Sequence, residues 1–145
     1  AKERRWDTPD GRASFSAAPS DQFEVPKGHL ILQTLRSHDQ FNTTVYGLND
    51  RYRGVGLGRR VLFMSPDDMK ERGIAPVALV DITSHWQEQK RTLRSFYAIP
   101  YEIPRGSAAA YFPEANPLIP IDSTARESNT PTSKAVEISV QPSSS

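Results

Sequence analysis

Apolar residues in this chain come in short runs, each closed within a few positions by proline, glycine or polar side chains, and a chain divided in this way builds short strands around a single core. His29 to Thr34 is the first such run, set off by Pro26 and Gly28, and it reads as a strand buried on both faces. Arg60 to Met64 is a second. Val77 to Ser84 and Arg91 to Ile99 flank the polar residues 87–90 and read as a β-hairpin with Trp86 near its tip. Pro100, Pro104, Pro113, Pro117 and Pro120 then punctuate an irregular stretch around a short strand, Ala108 to Phe112, and Ala135 to Val140 closes with alternating apolar residues. Only one helix carries agreeing signals. Ser65 suits its N-cap, Pro66 its first position, Asp67 and Asp68 the positive end of its dipole, and Gly73 the left-handed position past its end. The expected fold is mainly β, a small barrel with one or two short helices.

At 145 residues the chain has the length of one domain. Large apolar residues are sparse at both ends, so residues 1–27 read as a flexible linker, 28–141 as the folded domain and 142–145 as a disordered tail. Eighteen basic and 17 acidic residues give a formal net charge of +1, which speaks against a nucleic-acid or membrane surface made by bulk charge; any anion site must be local. Without cysteine there is no disulfide, iron–sulfur or thiolate site, and His29, His38 and His85 are too scattered for a metal motif. No apolar run nears the roughly 20 residues of a membrane span and no signal-peptide core opens the sequence, so the expected location is cytoplasmic.

Gly54-Val55-Gly56-Leu57-Gly58 looks like the start of a dinucleotide-binding glycine loop, but it precedes a strand instead of linking a strand to a helix, so a Rossmann site is not expected. The segment from Thr34 through Arg36, Ser37, His38, Gln40, Asn42 and Thr43 gathers hydroxyls, a guanidinium, an imidazole and amides where a strand ends. Such a set suits a phosphate or a heterocycle; equally, it can be a solvated turn with Arg36 in a surface salt bridge. The adjacency of Ser37, His38 and Asp39 hints at a hydrolase triad, yet no nucleophile elbow or oxyanion loop accompanies it. Late in the chain, Asn116-Pro117-Leu118 and Ser128 to Lys134 form polar, proline-bearing loops able to read a guanine or pterin edge, or to serve only as a surface crossover.

These pieces, in this order, resemble the molybdopterin dinucleotide-binding domain of the formate dehydrogenase and nitrate reductase superfamily. Leu30 to Arg36 followed by Gln40 to Thr43 resembles its opening signature; Ser65 to Met69 with Gly73 resembles its Pro-x-Asp helix; Asn116-Pro117-Leu118 and Ser128 to Lys134 resemble its late motifs. Gln-Phe-Asn-Thr (Gln40 to Thr43) and Tyr-Gly-Leu-Asn-Asp-Arg-Tyr-Arg-Gly (Tyr46 to Gly54) are similar to a formate dehydrogenase-like branch of alpha subunits, and Trp6 to Ala13 looks like the linker into the domain. The resemblance implies a double-psi β-barrel that closes over molybdopterin guanine dinucleotides carrying molybdenum or tungsten. It also implies that iron–sulfur cysteines and any metal ligand lie in other domains, none of them in this chain.

By matching position, the resemblance implies that Thr34, Arg36, Gln40 and Thr43 line the pyranopterin and pyrophosphate side. Asn116, Ser133 and Lys134 then approach through the late loops. Ser37, His38 and Asn42 join the candidate cofactor contacts by location. Leu35 stands where the family usually has glycine, which removes the freest backbone approach there. The expected function is therefore to bind and orient the cofactor of a larger oxidoreductase whose remaining domains are the partner. The isolated piece is expected to be monomeric and inactive. A stand-alone β-barrel interaction module is the alternative, and a hydrolase using Ser37 a third reading.

Overall fold

The computed structural model describes residues 2–4, 6–17, 24–41 and 46–144. Six strands are formed: β1 (Leu30–Leu35), β2 (Val61–Met64), β3 (Leu79–Trp86), β4 (Gln89–Pro100), β5 (Ser107–Tyr111) and β6 (Val136–Pro142). One helix, α1 (Pro66–Glu71), follows β2, and a 3-10 turn covers Asn116–Leu118. The strands close into a barrel in the order β1-β5-β2-β4-β3-β6, with β6 returning to β1. Two contacts are parallel, β1 with β5 and β2 with β4; the rest are antiparallel. The expected double-psi barrel thus has its mainly β, closed six-stranded form.

Alternation along each strand sends one set of side chains inward. Leu30 and Leu32 of β1, Leu62 and Met64 of β2, Val80 and Ile82 of β3, Phe96 and Ala98 of β4, Ala108 and Ala110 of β5, and Val136 and Ile138 of β6 fill the interior, all buried. The alanines of β5 let the larger residues opposite them fit within so narrow a ring.

β1 does not carry the two buried faces expected from its apolar run: its exposure alternates, with Gln33 open to solvent. β2 is the strand buried on both sides. The cause lies outside the barrel, where residues 50–58 fold back over β2 and bury Val61 and Phe63 against Val55 and Tyr111. A bridge between Asp50 and Val55 holds that loop, and Gly54, at φ +68°, takes a left-handed turn that a side chain would strain.

The hairpin forms as read, with its tip at residues 87–88. A register shift between Val80 and Ile82 leaves a gap in the ladder, and the Asp81 carboxylate fills it by accepting the Ser95 backbone N–H at 3.1 Å. α1 has its cap at Ser65, whose Oγ accepts the Asp68 N–H at 3.1 Å, and Gly73 is left-handed at φ +64°. Asp68 goes further than serving the helix dipole: it is buried and accepts the Gly106 N–H at 2.8 Å, tying α1 to the turn before β5. β6 runs past the expected domain end, with Pro142 paired to Val80 and the Ser143 N–H donating to the Leu79 carbonyl at 2.9 Å.

Candidate functional site

Parallel pairing of β1 and β5 sets Leu35 beside Tyr111, so the loops after these two strands leave the barrel side by side. Segment 133–134 crosses the same rim. The Thr34 N–H donates to the Ser133 carbonyl at 2.9 Å, the Phe112 N–H to the Leu35 carbonyl at 2.8 Å, and Lys134 Nζ donates to the Thr34 carbonyl. Between them lies a hollow of about 270 Å³ lined by Thr34, Leu35, Arg36, Phe112, Ser133 and Lys134. Thr34, Phe112 and Ser133 also border a second hollow of about 520 Å³, which reaches Asn116, Ile119 to Ile121, Thr130 and Pro131. With these three residues as a common wall, the two hollows make up the candidate cleft.

Its chemistry is divided. At the smaller end two cations, Arg36 and Lys134, stand beside the hydroxyls of Thr34 and Ser133, and no carboxylate is among the described residues lining either hollow. That donor set suits a phosphate or pyrophosphate. The larger end is apolar, with Phe112, Ile119, Pro120, Ile121 and Pro131, and carries the Asn116 amide, which suits the face and edge of a flat heterocycle.

Five of the sequence-expected residues, Thr34, Arg36, Asn116, Ser133 and Lys134, therefore meet in one place. Ser37 and Gln40 are buried beside the cleft and face the Arg59 guanidinium: Nη1 donates to Ser37 Oγ and Nη2 to Gln40 Oε1, both at 2.8 Å. His38 is exposed and packs on the Tyr52 ring at 3.5 Å between centroids. Asn42 and Thr43 lie outside the described residues. Ser37 has no base against its hydroxyl among the described residues, only the Arg59 cation, so the hydrolase reading has no nucleophile to work with.

Sequence reading missed Arg59, Glu114, Asp50 and Arg53 as site-building residues. Arg59 is almost fully buried, donates from Nε to Glu114 Oε1 at 2.8 Å and from Nη2 to the Phe112 carbonyl at 2.6 Å, and lies 3.6 Å from the Tyr46 ring centre. Asp50 is equally buried; it accepts from Arg53 Nη1 at 2.5 Å and from the Tyr111 hydroxyl at 2.9 Å, while Arg53 Nη1 also reaches the Arg36 carbonyl at 3.2 Å. Burial pushes the Asp50 carboxyl up, but the hydrogen bonds from Arg53 and Tyr111 outweigh it and hold the group below its ordinary value. Burial first, and then the bond to Asp50, drives the Tyr111 hydroxyl far up, so it remains a donor. The sequence gives a signal for one of these pairs only: Asp50 and Arg53 fall inside the Tyr46-to-Gly54 run.

Barrel and cleft together define a small β-barrel domain whose rim joins cationic and hydroxyl donors to an apolar, amide-bearing shelf. Residues 30–143 match the family described as the Molydopterin dinucleotide binding domain, and the chain belongs to that family of molybdopterin dinucleotide-binding domains. It is 49% identical over 144 residues to "Uncharacterized oxidoreductase Rv2900c" of Mycobacterium tuberculosis, a match covering 96% of this chain and 18% of that protein. It is also 36% identical over 152 residues to "Protein YdeP" of Escherichia coli, covering 99% of this chain and 20% of that one. The chain thus spans about a fifth of the length of the curated relatives it matches.

Proposed function

We propose that this domain holds molybdopterin guanine dinucleotide, with molybdenum or tungsten, as part of a formate dehydrogenase-like oxidoreductase acting in the cytoplasm. The observation that carries the reading is the meeting of Arg36 and Lys134 with Thr34 and Ser133 in a hollow with no carboxylate among its described lining residues, beside the apolar, Asn116-bearing end. Arg36 and Lys134 neutralise the pyrophosphate, Arg36 through its planar fork and Lys134 as a point charge. Thr34 and Ser133 would add neutral donors, and Asn116 would read a ring edge at the apolar end of the cleft. Asn42 and Thr43 join this set by their position in the motif.

When bound, the cofactor supplies a two-electron oxidation or reduction at its metal. The residues of this chain fix its orientation and cover it; none of them exchanges a proton or an electron with substrate. The rest of the polypeptide is the natural partner, and the exposed Phe41, Leu48, Tyr52 and Leu57 near the cleft's loops offer it apolar surface.

Replacing Arg36 with Gln in the full-length protein tests this. Loss of a charged hydrogen-bond donor is worth about 1.5–3 kcal/mol, or roughly ten- to a hundredfold weaker retention of pterin and metal, with thermal unfolding of the apo protein unchanged. Full metal and pterin content in both Arg36→Gln and Lys134→Gln would remove the basis of the proposal.

A further inference from the structure

The loop that presents Arg36 has no regular structure of its own, yet it is gripped from beneath by two guanidinium groups. Arg53, paired with buried Asp50, donates to the Arg36 carbonyl. Arg59, paired with Glu114, donates to Ser37 and Gln40 on one loop and to the Phe112 carbonyl on the other. Tyr111 stands between the two ion pairs: its hydroxyl reaches Asp50 and its ring lies 4.7 Å from the Arg59 guanidinium. Both of the loops so joined line the cleft, one with Arg36 and the other with Phe112.

We infer that Arg59 is a positioning residue that fixes the Arg36 loop against the Phe112 loop at the rim of the cofactor cleft, with Ser37 and Gln40 as the handles by which it holds the Arg36 loop. The inference rests on the cofactor-binding reading above and adds how the cleft is kept in shape. A guanidinium suits this task because its fork is rigid and planar, so acceptors from two loops must take up fixed places around it. Burial strengthens each of these bonds, since water cannot replace them. The Arg36 loop is therefore held in place before the cofactor arrives, and binding does not have to order it. Ser37 and Gln40 then influence the cofactor without lining either hollow.

The test uses the full-length protein and the variants Ser37→Ala/Gln40→Met, Arg36→Gln and their combination. Pterin and metal content after dialysis are measured, with hydrogen exchange at amides 36–40. Supporting side chains one step removed from a bound group commonly change its retention by about ten- to a hundredfold. The double variant should release cofactor about tenfold more readily, exchange faster at 36–40, and, with buried Arg59 short of two acceptors, melt lower in the apo form. Combined with Arg36→Gln it should release cofactor no more readily than Arg36→Gln alone, because the handles act through Arg36. Should the double variant fail to fold, Ser37→Ala replaces it, with Gln40 and the Arg59–Glu114 pair left in place.

Multiplying losses in the combination would mean direct contact by Ser37 or Gln40 and would overturn the inference. Full cofactor in the double variant beside loss in Arg36→Gln would overturn it as well, leaving the binding function intact. Full cofactor in Arg36→Gln would also overturn the inference, and if Lys134→Gln keeps full cofactor too, the binding reading falls with it.

Discussion

Asp50 shows how a single buried carboxylate can govern a loop beside the cleft. Beyond Arg53 and Tyr111, it accepts the backbone N–H groups of Tyr52 and Arg53, each at 3.2 Å, and so shapes the turn that ends at Gly54. Its folded value lies below the ordinary 3.8. The ionised form therefore stabilises the fold at pH above the unfolded value, and that contribution is lost as pH falls through the depressed folded value. Asp50→Asn should flatten the acid side of the stability–pH curve below about pH 4. At neutral pH it should cost roughly 3–5 kcal/mol, because Arg53 is left without its partner. Urea unfolding at a series of pH values measures both; an unchanged acid limb would show that Asp50 is not the group responsible.

At the scale of elements, α1 is the part that local rules describe best. Its six residues are held by a Ser65 cap, a proline at the start and a left-handed glycine past the end. Ser65→Ala should cost about 1 kcal/mol, read as a lower urea midpoint at unchanged slope. The strands, the hairpin and α1 were legible because period and punctuation act over a few residues. The double burial of β2 was not: it depends on Val55 and Tyr111 arriving from distant segments, and four apolar residues in a row look the same whether one face or two are covered. Among site residues, Arg36 and Lys134 could be read because both fall in motifs and both face the cleft. Arg59 could not. It follows Gly58 in a glycine-rich run, and its partners lie 19 to 55 positions away at Gln40, Ser37, Phe112 and Glu114. Nothing local marks such a cation as buried.

Across the whole molecule, the barrel acts as a rigid frame for a rim assembled from three separate stretches, 34–40, 112–121 and 130–134. The cleft is open, and the relatives are about five times longer than this chain. The isolated domain should therefore bind the dinucleotide weakly, with Kd above the micromolar range, whereas the full-length protein should retain it through purification. Calorimetric titration of the domain with the released cofactor measures this, and nanomolar binding would show that no other domain is needed.

β6 lies between β1 and β3 and closes the ring, so both of those strands keep a bare edge until residues 136–142 have been synthesised. The last piece of the rim, Ser133 and Lys134, is made immediately before it. A domain built in this order should accept cofactor only once its final strand is in place. A chain stopped at residue 132 should aggregate through its open edges and take up no metal, and a soluble truncation of that kind would show that closure does not depend on β6.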